Sequence, residues 1–306
     1  MRTPTKLLML VSLMALPLVD WGQTQTPGAP KAVLVTGAST GIGRKITERL
    51  ANHGYFVYGG ARKDSDLQAL GALKNVQPLR LDVTKPQDIE SAVATVTKAG
   101  RGLYGLVNNA GVVTIGSVMD TTMEEFDVVM AVNVYGPWRI TRAFARLLIA
   151  SSGRIANIGS INGIFTPRQS GAYSMSKHAI EAFSDALAQE MGGLGVKVSV
   201  IEPGSYKTDI VKNEMQRSRT GGQLAEFVSH AKEPDEVAAA VEQALFDANP
   251  KRRYLVVPNA QQAEITIRTQ LRQLVQLNEG QPYTYDRAEL VKMLDEALAG
   301  SRPKAN

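Results

Sequence analysis

A chain of 306 residues with 44% apolar and 21% charged side chains can bury one large core or two small ones. It contains no cysteine, which excludes disulfides, a thiol nucleophile and cysteine-ligated zinc or iron sites. The formal charge of +5 comes from dispersed Lys and Arg with one tight basic run at residues 251–253, so it favours a solvated basic surface over a nucleic-acid site.

The first 30 residues differ in pattern from the rest of the chain. Arg2 and Lys6 precede an apolar run over residues 7–19, and a polar stretch over residues 23–30 follows. This order is typical of a signal peptide, and the run is shorter than the roughly 20 apolar residues that a membrane span needs. We expect residues 1–22 to direct export or membrane association, with a cytoplasmic location as the alternative.

From Lys31 onward, short apolar runs alternate with helical stretches, which is typical of a parallel sheet covered by helices on both faces. Seven strands are predicted, at residues 32–35, 55–58, 77–81, 103–107, 154–158, 196–201 and 254–257. The helices predicted between and after them include residues 123–150, 173–191, 261–277 and 286–298, the last with Asp286 as its N-cap. The sequence therefore predicts one doubly wound sheet over residues 31–260 and a C-terminal helical extension over residues 261–306.

A glycine-rich turn, residues 36–43, follows the first predicted strand and opens into a helix. Glycines let the backbone approach a pyrophosphate, whose charge the free N–H groups and dipole of a helix N-terminus stabilise. A turn with three glycines can be a plain loop, but the strand-turn-helix context favours a dinucleotide site on a Rossmann-type sheet. The expected cofactor contacts are Gly37, Ser39, Thr40, Gly41, Ile42 and Gly43.

The end of the second predicted strand favours NADP(H) over NAD(H). No carboxylate follows Gly59-Gly60-Ala61, where the ribose 2′-hydroxyl of NAD would be bound. Arg62 can form charge-assisted hydrogen bonds to a 2′-phosphate; the alternative is an exposed loop arginine near Asp64 and Asp66. Asp82, after the third strand, is a candidate to accept a hydrogen bond from the adenine amine, or else it caps the next turn.

Ordered motifs from Lys31 to Val257 resemble those of the short-chain dehydrogenase/reductase family. The glycine-rich turn resembles TGxxxGxG, residues 108–111 match NNAG, and residues 203–208 match PGxxxT. Asn133, Ser160, Tyr173 and Lys177 fall on the family's catalytic tetrad, and residues 173–187 look most like its steroid- and retinol-dehydrogenase-like branch. The resemblance implies further cofactor contacts at Asn109, Ala110, Gly111, Tyr173, Lys177, Pro203, Gly204 and Thr208.

The spacing of Tyr173 and Lys177 also has a chemical reason of its own. Residues four apart on a helix share a face, and a nearby ammonium stabilises a phenolate, which lowers a tyrosine pKa from about 10. Tyr173 is thus expected to act as general acid in reduction and general base in oxidation. By resemblance, Lys177 also binds the nicotinamide ribose, Ser160 hydrogen-bonds the substrate oxygen, and Asn133 holds a water in a proton relay.

Each of these residues has an ordinary alternative: a half-buried tyrosine beside a solvated lysine, a turn-forming serine, or an asparagine that interrupts its helix. Their joint occurrence in the right order favours the enzyme. The histidines, His53, His178 and His230, show no metal-ligand spacing. We therefore interpret them as structural or surface residues and expect no metal site.

The segments expected to line the substrate pocket are largely apolar. They are Val112, Val113 and Ile115, then Ile164, Phe165 and Pro167, and the loop after Gly204. They predict a moderately lipophilic aldehyde, ketone or alcohol as substrate; the alternatives are a 3-oxoacyl-carrier reductase and a non-catalytic dinucleotide-sensing regulator. Residues 205–223, with Gly221 and Gly222 as hinges, are expected to close over the substrate, with a fixed loop as the alternative. We expect a homodimer or homotetramer.

Overall fold

The computed structural model of the protein describes residues 30–210 and 231–301. Within them, seven parallel strands form one sheet in the order β3-β2-β1-β4-β5-β6-β7. The strands are β1 (Ala32–Val35), β2 (Phe56–Ala61), β3 (Val76–Arg80), β4 (Gly105–Asn108), β5 (Arg154–Ile158), β6 (Lys197–Pro203) and β7 (Arg253–Val256). The predicted doubly wound Rossmann-type sheet is confirmed, and the strand bounds differ from the predicted ones by up to three residues.

Helices cover both faces of the sheet. The helices are α1 (Gly41–Asn52), α2 (Asp64–Gly71), α3 (Pro86–Lys98), α4 (Met123–Asn133), α5 (Tyr135–Ala150), α6 (Gly171–Gly192), α7 (Asp235–Phe246), α8 (Ala260–Asn278) and α9 (Arg287–Ser301). Alternate residues of a strand point to opposite faces, so Val33 and Val35 enter a cluster with α1, α2 and α7. Ala32 and Leu34 enter a second cluster with α3, α5 and α6. The sheet is thus buried on both sides.

The strand order reverses beside β1, which pairs with both β2 and β4. In sheets of this kind the loops at the carboxyl ends of the strands meet at this switch point and form a crevice. The turn after β1, the segment after β4 and the segment after β5 all lie at this edge. The sheet therefore brings the predicted motifs to one place.

The helix predicted over residues 123–150 is wrong in one respect, because it is two helices that meet at Val134. Pro137 has no N–H, so it cannot donate the usual helical hydrogen bond to the carbonyl of Asn133, four residues earlier. The backbone of Val134 departs from regular helix there, with φ −112° and ψ −59°. Asn133 thus becomes the last residue of α4.

The two helices predicted near the C-terminus are confirmed. Asp286 Oδ1 accepts a hydrogen bond from the Glu289 amide at 2.9 Å, and the Glu289 side chain accepts one from the Asp286 amide, which makes a capping box before α9. In α8, which is described throughout, Thr266 alone is buried. In the described ranges no helix combines the length and apolar character that crossing a bilayer requires. The predicted leader, His230 and most of the predicted loop at residues 205–223 lie outside the described residues.

Candidate active site

The glycine-rich turn is tied to the end of β4 by side-chain hydrogen bonds. Thr36 Oγ1 accepts from the amides of Asn109 at 2.9 Å and Ala110 at 3.0 Å. Asn109 Nδ2 donates to the carbonyls of Thr36 at 2.9 Å and Gly37 at 3.0 Å. The predicted NNAG segment therefore holds the shape of the turn.

Two glycines of the turn have no room for a side chain. Gly37 has a φ of +64°, and a Cβ there would lie 2.9 Å from the Cα of Ala110. A Cβ at Gly43 would overlap both the Gly37 carbonyl and the Nδ2 of Asn109. The first turn of α1 therefore packs directly on the loop before it.

The N-terminus of α1 fits an anionic group. Thr40, its N-cap, is extended and makes no side-chain capping bond, and the first turn of α1 contains no acidic residue. The first amides of a helix then need an external acceptor, and the helix dipole favours a negative one. Thr208 lies beside this turn, since a Cβ at Gly41 would be 3.2 Å from the Cβ of Thr208. These residues fit the pyrophosphate of a dinucleotide.

Arg62 follows β2 as an exposed side chain, and among the described residues its guanidinium forms no ion pair. Asp64, the nearest carboxylate in the sequence, is bound by Arg80, whose Nη1 also donates to the Arg62 carbonyl at 2.7 Å. Asp64 is thus already neutralised by a partner. Arg62 keeps its positive charge available at the end of β2.

Asp82 caps the turn that follows it, which was the alternative to a hydrogen bond with the adenine amine. Its Oδ1 accepts from the amide of Thr84 at 2.9 Å and from the Thr84 hydroxyl at 2.7 Å. Burial raises the pKa of Asp82, but these hydrogen bonds and the charges of Arg62 and Lys85 outweigh burial and hold that pKa below its usual value. Asp82 is therefore a capping carboxylate that lies within the field of Arg62.

Ser160, Tyr173 and Lys177 come together at the carboxyl end of β5. Ser160 begins a short 3₁₀ helix, Ile161–Gly163, and its Oγ accepts from the Asn162 amide at 3.1 Å. The Ser160 hydroxyl lies close enough to the Tyr173 phenol to lower the pKa of that phenol. Lys177 Nζ lies 5.6 Å from the centroid of the Tyr173 ring. Two hydroxyls and an ammonium thus share one side of the crevice.

The expected lowering of the Tyr173 pKa is wrong for this structure. Burial raises the pKa of Tyr173 to about 12, and the nearby Ser160 hydroxyl offsets only part of that effect. Burial also lowers the pKa of Lys177 to about 8, although the negative charge of Glu181 acts in the other direction and raises that pKa. Lys177 Nζ donates to the Ile158 carbonyl at 2.8 Å, so its charge is directed at the end of β5.

Asn133 is 2% exposed, and its side chain is occupied by protein groups. Its Oδ1 accepts from the amide of Val112 at 2.8 Å, while Nδ2 donates to the Val112 carbonyl at 2.8 Å and to Ser176 Oγ at 2.9 Å. Ser176 in turn donates to the Tyr173 carbonyl at 2.7 Å. The Asn133 side chain therefore joins the segment after β4 to the helix that carries Tyr173.

Two of the three segments predicted to line the substrate pocket lie side by side. The amide of Gly116 donates to the Gln169 carbonyl at 3.0 Å, and Gly116 and Ser170 form a parallel bridge. Ile164, Phe165 and Pro167 are half-buried on the second segment. The third segment, after Pro203 and Gly204, contacts α8, because the Ser205 amide donates to Gln262 Oε1 at 2.9 Å.

Four residues with clear roles in this geometry were missed from the sequence: Thr36, Arg80, Ser176 and Gln262. Thr36 and Ser176 lie inside the quoted motifs, so a search for polar side chains within them could have found both. Arg80 and Gln262 are brought to the site by strand pairing and by the start of α8. No local sequence signal identifies these two.

Comparisons with known proteins agree with this geometry. A family model described as short chain dehydrogenase matches residues 31–219. Mitochondrial D-beta-hydroxybutyrate dehydrogenase of Rattus norvegicus is 39% identical over 186 residues, which is 58% of this chain and 54% of that protein. Retinol dehydrogenase 5 of Mus musculus is 37% identical, over 63% of this chain and 62% of that one. The chain thus spans little more than half the length of the first of these relatives.

Other matches cover a larger share of the matched protein. The 3-oxoacyl-[acyl-carrier-protein] reductase FabG of Vibrio cholerae is 34% identical, over 74% of this chain and 92% of that protein. A short-chain dehydrogenase structure from Streptomyces avermitilis is 27% identical with a TM-score of 0.70, over 90% of this chain and 100% of that one. The closed form of serine dehydrogenase complexed with NADP⁺ is 27% identical with a TM-score of 0.68, over 74% and 94%.

The matches to dehydrogenases of hydroxybutyrate and retinol confirm the branch that the residues around Tyr173 predicted. The family's members act on alcohol and carbonyl groups, so the predicted enzyme class is confirmed at the level of family. The chain belongs to the short-chain dehydrogenase family.

Proposed function

We propose that this chain is an NADP(H)-dependent oxidoreductase that interconverts a moderately lipophilic carbonyl compound and its alcohol. The observation that carries the proposal is the grouping of Ser160, Tyr173 and Lys177, with Lys177 Nζ 5.6 Å from the centroid of the phenol ring, at the edge of the sheet where the glycine-rich turn lies. When bound, the nicotinamide supplies or accepts the hydride. The protein supplies position and a proton.

Tyr173 is the proton donor in the reductive direction. Because burial raises its pKa to about 12, its phenol keeps the proton at neutral pH and can give it to an oxygen that gains negative charge. The Ser160 hydroxyl, which lies close to the phenol, hydrogen-bonds the same oxygen. The Lys177 ammonium stabilises the phenolate left behind and binds the nicotinamide ribose.

Asn133 takes part through its backbone, because its side chain is already occupied. Pro137 leaves the Asn133 carbonyl without its helical donor, so that carbonyl can accept a hydrogen bond from a water. Such a water would link Lys177 to solvent in the proton relay. The side chain's part is to hold the segment after β4 against α6.

The cofactor would lie across the switch point of the sheet. The turn Gly37–Gly43, with Ser39, Thr40, Gly41 and Ile42, binds the pyrophosphate on the uncapped start of α1. Arg62, free of ion pairs among the described residues, binds the 2′-phosphate, and Asp82 lies toward the adenine. Asn109, Ala110 and Gly111 border the adenine side, and Pro203, Gly204 and Thr208 border the nicotinamide. A related serine dehydrogenase was solved with NADP⁺.

The substrate is proposed to be lipophilic because the lining is apolar. The half-buried Ile164, Phe165 and Pro167 lie beside the segment that contains Val112, Val113 and Ile115. Two matched relatives are named for hydroxybutyrate and retinol, which are an alcohol with a carboxylate and a lipophilic alcohol. The apolar character of these six residues favours the second kind.

A second candidate is a 3-oxoacyl-carrier reductase, which the match to FabG favours. The third, a dinucleotide-sensing regulator, would need neither a phenol nor a buried ammonium, and this chain retains both. The homodimer or homotetramer, the membrane association of residues 1–22 and the helical extension from residue 261 stay predictions.

The deciding experiment follows NADPH and NADH oxidation by purified protein with aldehydes, ketones, steroid ketones and retinal, beside acetoacetyl thioesters. We expect turnover of a lipophilic carbonyl with NADPH and little with the thioester. Preferred turnover of the thioester would support the carrier reductase. Tight NADPH binding without turnover of any substrate would support the regulator.

A further inference from the structure

Two acidic side chains, Glu181 and Glu202, meet where the helix that carries Tyr173 packs against β6. Glu181 follows Lys177 by four residues on α6, so the two side chains share a face of the helix. Glu202 belongs to β6, which packs against α6, and it is 2% exposed. Neither residue has a part in the function proposed above.

The Glu181 carboxylate occupies space beneath the turn that carries Ser160. A Cβ at Gly159 would lie 2.9 Å from Glu181 Oε1, and a Cβ at Gly163 would lie 3.2 Å from it. These two glycines lie on either side of Ser160 in the sequence. The carboxylate is therefore close to the segment that positions the Ser160 hydroxyl. Its negative charge also acts on Lys177 and favours the charged form of that lysine.

Among the described residues, Arg253 is the guanidinium that lies against both carboxyls of the pair. Arg253 Nε lies 3.3 Å from Glu181 Oε2 and 3.5 Å from Glu202 Oε1, while its Nη2 donates to Asp185 at 2.7 Å. Arg252 forms an ion pair with Asp185, at 3.2 Å. One guanidinium thus serves three carboxyl groups, two of them largely buried.

A proton shared by Glu181 and Glu202 explains how the two carboxyls can lie next to each other. Oε1 of Glu181 and Oε1 of Glu202 are both buried without a hydrogen bond among the residues described, and the two carboxyls lie against the same Nε of Arg253. Two neighbouring buried carboxylates repel, and one of them takes up a proton. Burial raises the pKa of both carboxyls, and the Glu202 side chain is the less exposed of the two, at 3% against 14%, so Glu202 is the partner that holds the proton at neutral pH.

We propose that protonated Glu202 donates a hydrogen bond to ionised Glu181, and that the negative charge of this pair keeps the Lys177 ammonium charged. Both glutamates are positioning residues that act through Lys177. The inference rests on the proposed function, because the charge on Lys177 matters only if Tyr173 transfers the proton. Lys177 is buried, so without the negative charge of Glu181 it would lose its proton at a lower pH.

Two isosteric variants separate the roles of the pair. Glu181→Gln removes the charge that opposes deprotonation of Lys177, so the alkaline limb of kcat/KM in the reductive direction should move down by about one pH unit. Glu202→Gln keeps a donor toward Glu181, so its limb should stay within about 0.3 unit of wild type. Glu190→Gln, an exposed glutamate on the same helix, is the matched control. An unmoved limb in Glu181→Gln, or an equal shift in Glu202→Gln, overturns the proposal.

A second readout needs no turnover. Because the pKa of Glu202 is raised in the folded state, its protonated form contributes stability at low pH that is lost as pH rises through about 8. Glu202→Gln cannot ionise, so its unfolding temperature should gain on wild type between about pH 5 and pH 9. If the difference in unfolding temperature between Glu202→Gln and wild type stays constant across this range, the proposed proton-sharing pair is overturned. Failure of the proposed function would instead appear as an inactive wild-type protein in which this pH-dependent difference persists.

Discussion

Replacing Asn133 by alanine should destabilise the protein as well as slow it, because the side chain joins two elements of the site. The change removes hydrogen bonds of 2.8, 2.8 and 2.9 Å to the Val112 amide, the Val112 carbonyl and Ser176 Oγ. Val112 is 8% exposed, so little water can replace the lost partners. The backbone N–H and C=O of Val112 are then both left without a bond.

The size of the effect follows from these two groups. A buried polar group left unpaired costs about 1–3 kcal/mol, so two of them cost about 4 kcal/mol. For a chain of 306 residues, each kcal/mol lowers the unfolding midpoint by about 1.5–2 °C. Asn133→Ala should therefore unfold roughly 6–8 °C below wild type.

The assay is thermal unfolding followed by circular dichroism, with NADPH turnover measured on the same samples. Ser176→Ala is the matched control, because it removes the Ser176 hydroxyl and leaves both bonds between Asn133 and Val112; it should cost about 1 kcal/mol. Asn133→Ala retains the backbone carbonyl at which the relay water is proposed. A midpoint within about 2 °C of wild type would refute the joining role of the side chain.

Three further variants test other parts of the site. Gly43→Ala places a Cβ against the Gly37 carbonyl and Asn109, so NADPH affinity in a fluorescence titration should fall at least about tenfold; unchanged affinity contradicts the tight turn. Arg62→Asp should shift the ratio of kcat/KM values from NADPH toward NADH, and an unchanged ratio rejects the 2′-phosphate role. Lys177→Met should abolish turnover. Below about pH 8 it should also be more stable than wild type, because burial lowers the pKa of Lys177 to about 8 and a buried lysine that is protonated destabilises the folded state. In thermal melting experiments, this gain in stability should shrink as pH rises toward about 10. A gain that does not depend on pH would contradict the lowered pKa of Lys177.

The sheet could be predicted from the sequence because its strands are short, apolar and buried on both faces. Such runs are visible one strand at a time, and the glycine-rich turn fixed which strand comes first. The break at Val134 was missed because Pro137 acts on a carbonyl four residues earlier, inside a pattern that otherwise reads as one helix. The effect of a proline on a distant acceptor is not part of local periodicity.

The site was predictable where ordered motifs carry it, and Ser160, Tyr173 and Lys177 do lie together. The direction of the Tyr173 pKa was not predictable, because burial depends on how α6 packs against the rest of the fold. Glu202 had a signal that went unused. It is a charged residue inside an otherwise largely apolar strand, and such a residue is almost never buried without a partner.

The exchange of Tyr173 for phenylalanine tests the central claim most directly. The substitution removes one hydroxyl and leaves the ring, the Lys177 contact with the Ile158 carbonyl and the glycine-rich turn in place. NADPH should bind to Tyr173→Phe with wild-type affinity, while reduction of the carbonyl substrate falls by about a hundredfold or more. Turnover near the wild-type rate would contradict the assignment of Tyr173 as the proton donor.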